Sequence, residues 1–235
     1  MFKVTHPQKP YHHGHLKDEL LRVAVDIGRE EGPEGITIRQ VTRRVGVSPT
    51  AAYRHYTDQT ELLNAVSAAA VTELVTRLNA VVDDHETYPL AAERMVACGW
   101  AYFDFALEEP GFFRCMLAGR DLELPRALGG AGDDESMASH TQALTKFADC
   151  FHVHADQTDH ESHFMYFFQN VLSVWATVHG ITVLCTTGHM AELSIEKKRE
   201  LAAPVLAAAV RSTDFKDPLN LFRNYPGGVR PAADS

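Results

Sequence analysis

The chain has 235 residues, of which 45% are hydrophobic and 23% charged, enough for a real core and ordinary for a globular protein. Its net charge of −9 and pI near 5.8 argue against indiscriminate binding to nucleic acid. The charge is uneven: residues 1–64 carry 9 Lys and Arg against 8 Asp and Glu, and the rest carry 13 against 23, so the acidic excess lies in the C-terminal part.

Residues 1–14 read as a polar arm, with Lys9, Tyr11, His12 and His13 able to reach phosphate or a minor groove. Leu16, Leu20, Val23, Ala24 and Ile27 then give one apolar face to a first helix ending near Gly32. Thr37 is an N-cap residue with Gln40 three positions on, a pairing that predicts a capping box. Ile38, Val41 and Val45 share one face of a short second helix, and Gly46 stops it by accepting positive φ. Ser48 as N-cap and Pro49 at the first helical position start a third helix running toward Tyr56. Ala52 and Tyr56, four apart, face inward. Pro49, Thr50, Ala51, Tyr53, Arg54 and His55 are left outside, a surface of small groups, hydroxyls, one cation and an imidazole with no carboxylate before Asp58. Such a surface suits close approach to a polyanion, and helix–turn–helix units dock the N-terminal end of their second helix in the major groove. The other reading of the pattern alone is a helical hairpin inside an ordinary bundle.

Asp58 caps the start of a fourth, long helix, whose apolar pattern from Leu62 carries to about Val82 and which links the first part of the chain to the rest. After a turn at residues 83–89, an aromatic-rich helix runs from Leu90 to Leu107, ended by Glu109-Pro110-Gly111, with Phe112, Phe113, Met116 and Leu117 as a short apolar segment behind it. Residues 119–135 form a Gly- and Asp-containing loop that no strand precedes, which excludes a phosphate-binding loop. Further helices are expected at about 137–153, 160–187 and 194–211, with Gly188 and Pro204 as punctuation, and residues 213–235 as an irregular tail. Nothing reads as a strand, so the fold class is all-α.

Beside these readings, residues 11–78 resemble the DNA-binding domain of the tetracycline-repressor (TetR) family of transcriptional regulators. The resemblance rests on the Leu16–Gly32 helix, Thr37-Ile38-Arg39, Gly46-Val47-Ser48, Tyr53-Arg54-His55-Tyr56 and Glu61-Leu62-Leu63. Trp175, His179 and Gly180 in WATVHG look like the Trp–His–Gly signature of one C-terminal domain class of that family, and AYFDFALEEPGFFRCML resembles another part of it. The resemblance implies an N-terminal three-helix DNA-binding domain with a helix–turn–helix (with its arm, residues 1–64) and a C-terminal helical ligand-binding and dimerisation domain (residues 65–213), followed by the tail at 214–235. It implies a cytoplasmic homodimer that binds a palindromic double-stranded DNA operator, most simply as a repressor released by a small-molecule effector; an activator of the same architecture stays open. The DNA-contacting positions carried over are Thr37, Arg39, Ser48, Pro49, Thr50, Ala51, Tyr53 and His55, with Arg39 as base reader and Tyr53 and His55 on phosphate. Gln59 departs from the family pattern, standing where most members have a phosphate-contacting lysine.

The aromatic set is plain core on one reading. On the other, Trp100, Phe103, Met116, Phe147, Phe151, Phe168, Trp175 and His179 line a cavity for an apolar or aromatic effector. His152, His154, His160 and His163 with Cys150, Asp156 and Asp159 resemble a metal cluster at first sight, but His152 and His154 are two apart and point to different helix faces, so no metal site is expected. A helical metal-dependent enzyme using that region is the competing reading. No nucleophile elbow, zinc-protease motif or dinucleotide fingerprint occurs, so neither catalysis nor a cofactor is expected. Cys98, Cys115, Cys150 and Cys185 lack metal-ligand spacing and read as reduced, mostly buried thiols. No apolar leader occurs at the start of the sequence, and a soluble intracellular chain with no membrane span is expected.

Finally, the helices at 160–187 and 194–211 are the most continuously apolar of the C-terminal part. Val171, Val174, Val178, Ala203, Leu206, Ala207 and Val210 are the candidates to meet a second copy in a four-helix bundle.

Overall fold

The computed structural model describes residues 15–119 and 160–211, and among these all regular structure is helical. Eight α-helices follow in order: α1 Leu16–Glu31, α2 Ile38–Val45, α3 Pro49–Ala52, α4 Gln59–Val82, α5 Ala91–Glu108, α6 Pro110–Ala118, α7 His160–Thr186 and α8 Ile195–Arg211, with a 3-10 turn at Pro33–Gly35. The arm, the expected helix at 137–153 and the tail lie outside the described residues.

Each N-terminal boundary has a local cause. Gly32 and Gly46 end α1 and α2 with φ of 81° and 84°, the left-handed region that glycine enters without Cβ strain. Nothing approaches Gly46, so its requirement there is conformational rather than spatial. Thr37 caps α2 by accepting the Gln40 N–H at 3.1 Å, but the expected box does not close. The Gln40 amide instead donates to Glu31 at 2.7 Å, and the Thr37 N–H already has the Gly35 carbonyl at 3.0 Å. Gln40 therefore ties α2 to α1. Asp58 caps α4 by accepting the Glu61 N–H at 2.9 Å, and Glu61 in turn accepts from the Thr57 N–H and hydroxyl.

α3 is shorter than expected. Only Pro49–Ala52 is α-helical; the His55 N–H bonds back to Ala52 at the tighter i−3 spacing, and Tyr56 closes the turn onto the same carbonyl. Ala52 and Tyr56 face inward as expected and are buried beside Leu20, Val41 and Leu62 in the same core.

α4 is the axis of the molecule. It contacts α1 on one side and α5 and α6 on the other, burying Leu62, Val66, Ala70 and Leu74. By length and composition alone α4 could cross a membrane, with mean hydropathy 1.3 over its best window, of which 33% is buried inside the chain. Glu109 alone separates α5 from α6, because Pro110 begins a new helix at its first position rather than simply ending the old one. α6 then lies against α1 with Phe112 and Phe113 fully buried; truncating Phe113 to Ala would cost about 3–5 kcal/mol.

Arginines fasten this corner. Arg29 of α1 pairs with Glu73 of α4 and with Glu109 at 2.6 Å, and its guanidinium lies 4.2 Å from the Phe112 ring centre. Arg77 bridges Glu73 at 3.0 Å and Glu108 at 2.7 Å. Arg114 of α6 reaches Glu34 at 2.8 Å and the Glu31 carbonyl at 3.0 Å. Gly111 sits directly on the Gly28 and Arg29 carbonyls, where no Cβ would fit.

α5, α7 and α8 pack mutually, and Gly99 of α5 marks the contact, facing Val178 of α7 and Leu206 of α8. This corrects the expectation for a dimer face. Leu206 is 1% exposed and Val174 and Val178 are buried, so these three belong to the chain's own core. Periodicity had marked them as apolar without saying which neighbour they meet. The solvent-facing strip of α7 is Leu172, Ser173, Ala176 and Leu184, with nothing near Gly180; that of α8 is Ala203, Pro204 and Ala208, with Ala207 and Val210 half-buried. Val171 falls on α7. α8 runs straight through Pro204, which is exposed, so the carbonyl left without its partner can take water. Gly188 ends α7, its N–H and that of Thr187 both bonded to the Val183 carbonyl.

Candidate nucleic-acid interface and helical core site

Most of the expected DNA-contacting residues around the turn between α2 and α3 face solvent. Arg39, Ser48, Pro49, Thr50 and Tyr53 are exposed, and Thr37, Ala51 and His55 are half-buried. Tyr53 is 55% exposed, a large ring that the chain's own packing does not use. The Thr37 hydroxyl oxygen accepts the cap hydrogen bond, which leaves its O–H proton as a donor at the N-terminal corner of α2.

Charge on this head is sorted. Arg22 is held by Glu19 at 2.7 Å and Asp26 at 2.9 Å, and Arg44 by Glu30 at 2.8 Å and Glu31 at 3.1 Å. The Arg44 guanidinium beside Glu30 holds that carboxyl below its ordinary range. Among the described residues Arg39, Arg43 and Arg54 enter no ion pair and are exposed. Four of the five α1 carboxylates are thus held by two arginines, with Asp18 beside His15 instead, and three other arginines carry no ion pair among the described residues. Arg43 was missed at the sequence level, because Arg43 and Arg44 are adjacent and only the fold decides which one meets α1. Gln59 opens α4, exposed beside its cap Asp58.

Of the expected effector-lining residues, the side chains of Trp100, Phe103, Met116, Trp175 and His179 are among those described. Phe103 and Met116 are buried in the core. Trp100 is edge-on to Phe103 and lies under the Arg199 guanidinium, 5.6 Å from its ring centre, while Arg199 also pairs with Asp104 at 2.5 Å. Trp175 and His179 are stacked at 4.9 Å and 12° on α7, with both side chains half-buried. Phe168 falls on the N-terminal half of α7, and Phe147 and Phe151 lie outside the described residues. Tyr102 was missed: its hydroxyl is 2.7 Å from His179 Nδ1, and its ring is edge-on to Phe113. One tyrosine in an aromatic run carries no sequence signal for a histidine 77 residues away. Burial pushes the Tyr102 hydroxyl far up and the His179 imidazole down, so at neutral pH both are uncharged.

Of the His-rich connection, Cys150, His152, His154, Asp156 and Asp159 lie outside the described residues, and His160 and His163 open α7. Cys98, Cys115 and Cys185 are free and buried, and burial pushes the Cys115 thiol up to about 12.

Residues 20–66 match the family model described as "Bacterial regulatory proteins, tetR family", and residues 95–209 match "Tetracyclin repressor-like, C-terminal domain". A Bacillus subtilis relative, the uncharacterized HTH-type transcriptional regulator YobS, is 26% identical over 98 residues, 42% of this chain and 49% of that protein. The chain spans about half the length of the curated relatives it matches. Among solved structures, a protein of unknown function from Rhodococcus sp. RHA1 superposes with a TM-score of 0.57 at 23% identity, covering 88% of this chain and 97% of that one. The TetR family transcriptional regulator PfmR from Thermus thermophilus gives 0.52 at 16% identity, covering 83% and 98%. With both of its halves matched in order and the same helical fold in these neighbours, the chain belongs to the tetracycline-repressor family of transcriptional regulators.

Proposed function

We propose that this chain acts as a cytoplasmic homodimer that reads a palindromic DNA operator and represses transcription until an apolar or aromatic effector binds its C-terminal helices. The observation that carries the reading is the sorted charge of the head: Arg39, Arg43 and Arg54 stand unpaired among the described residues around a small-residue helix end, while Arg22 and Arg44 hold four of the five carboxylates of α1. In this reading Arg39 takes a base edge, Tyr53, His55 and Arg43 take phosphate, and Ser48, Pro49, Thr50 and Ala51 let the backbone approach, with Thr37 at the flank. We divide the chain into a reading head at 1–64, a regulatory and dimerisation part at 65–213 and a tail at 214–235, with α4 running across the first boundary.

For the dimer, the strips Leu172–Leu184 of α7 and Ala203–Ala208 of α8 are the supporting feature. Leu172 and Leu184 are each 41% exposed, and the small residues beside them allow close approach of a second pair of helices. Two copies joined there would carry two heads to half-sites one helical turn of DNA apart or a multiple of it. Effector binding acts by favouring a dimer whose heads are wrongly spaced. The test is selection of bound duplexes from a random DNA pool. Enrichment of an inverted repeat is expected, and enrichment of no sequence would overturn the reading.

A further inference from the structure

The Tyr102–His179–Trp175 group is a polar feature of the C-terminal helices that, among the described residues, neither an ion pair nor helix capping accounts for. Tyr102 is 6% exposed, and its hydroxyl proton has a single acceptor among the described residues, His179 Nδ1 at 2.7 Å. A buried hydroxyl that leaves its proton unplaced pays a desolvation cost, so Tyr102 donates. That fixes the imidazole with its own proton on Nε2, on the far side of the ring. Stacking on Trp175 sets the ring plane. No carboxylate pairs with His179 among the described residues, so the ring is a neutral donor held in one orientation.

We propose that Trp175, His179 and Tyr102 form a ligand subsite for a neutral, largely apolar molecule carrying one hydrogen-bond acceptor, a carbonyl, which receives the His179 Nε2–H while the apolar body lies along Trp175. This rests on the reading that the C-terminal helices bind an effector, and it names the effector's chemistry. Tyr102 is the positioning residue. A carboxylate ligand is disfavoured, because among the described residues no ion pair or cation–π contact reaches Trp175, His179 or Tyr102. A carboxylate placed there would be partly desolvated with no counter-charge.

Two measurements on the full chain test it. The first is the ring-nitrogen NMR spectrum of His179 at neutral pH. The Nε2–H tautomer is expected in the wild type, and a mixture of tautomers in Tyr102→Phe, a change that a merely space-filling tyrosine would not produce. An Nδ1–H tautomer or a charged ring in the wild type overturns the proposal without any variant needing to fold. The second titrates acetophenone and cumene, two molecules of similar shape of which only the first has the acceptor, against Trp175 fluorescence in a Trp100→Phe background. The ketone-to-hydrocarbon affinity ratio should fall roughly two- to tenfold in His179→Phe, which keeps a ring on Trp175 but removes the donor. An unchanged ratio, or no ketone binding up to its solubility, overturns the subsite. Sequence-specific DNA binding is measured on the same samples: its loss in the wild type would count against the regulator reading, whereas its persistence with a failed ketone test counts against the subsite alone.

Discussion

Arg39 and Tyr53 divide the work of the head between specificity and affinity. Arg39→Ala should cost roughly 1–3 kcal/mol of operator binding and relax one base position, as expected for a bidentate base contact. Tyr53→Phe should cost about 1 kcal/mol uniformly across sequences, the scale of one net hydrogen bond. Competition binding against a set of single-base operator variants checks both; equal losses at every base for Arg39→Ala would move it from base reading to phosphate. At His179, burial lowers the pKa in the folded chain, so the folded state disfavours the proton. Its contribution to stability is full above the ordinary histidine pKa of about 6.5 and is lost as pH falls through the lower folded value. Urea unfolding of wild type and His179→Gln should therefore differ most at about pH 7.5 and converge toward about pH 5, a trend opposite to that of a histidine held by a carboxylate. Residues of this kind were unevenly legible. Gly46 and Asp58 announced their roles through local chemistry, a positive-φ stop and an N-cap. Gln40 and Tyr102 did not, because their partners are Glu31 and His179, which only the fold brings near.

At the scale of elements, Arg29 and Arg114 fasten α1 to α4 and α6, and Arg77 fastens α4 to the end of α5. Arg29→Met removes the shared partner of Glu73 and Glu109. It should cost about 1–2 kcal/mol, less than the roughly 3–5 of a fully buried pair because the group is about a third exposed. Chemical denaturation measures the loss, and amide exchange should rise in α6 before it rises in α3; unchanged α6 protection would show that apolar packing alone holds the corner. Gln59 tests the start of α4. Gln59→Lys should add close to one phosphate contact per half-site and steepen the log–log salt dependence by about 0.9. An unchanged slope would mean that position 59 faces away from DNA. Helix boundaries were readable because caps, glycines and prolines act locally: α4 and α8 fall within a residue or so of expectation. The early end of α3 was not readable, since the last turn tightens onto Ala52 rather than breaking at a helix-ending residue.

For the whole molecule, the face that meets a second copy was the least legible feature, because periodicity marks every apolar residue of α7 and α8 alike. Leu206 and Val178 fill the space over Gly99 within one chain, which leaves Leu172, Leu184, Ala203 and Ala208 facing outward. Leu206→Asp would unfold the regulatory part rather than separate two copies. Leu184→Asp and Ala208→Asp, by contrast, should give folded monomers with intact heads and weak, non-cooperative DNA binding. The central claim is that two heads held by one dimer read one operator. Sedimentation velocity of the full chain, alone and with a duplex carrying the selected inverted repeat, tests it most directly. A dimer of about 52 kDa alone, twice the chain mass, and two chains per duplex are expected at micromolar concentration, with Leu184→Asp reduced to single chains. A monomeric wild type that still binds the repeat one chain at a time, without cooperativity, would contradict the account.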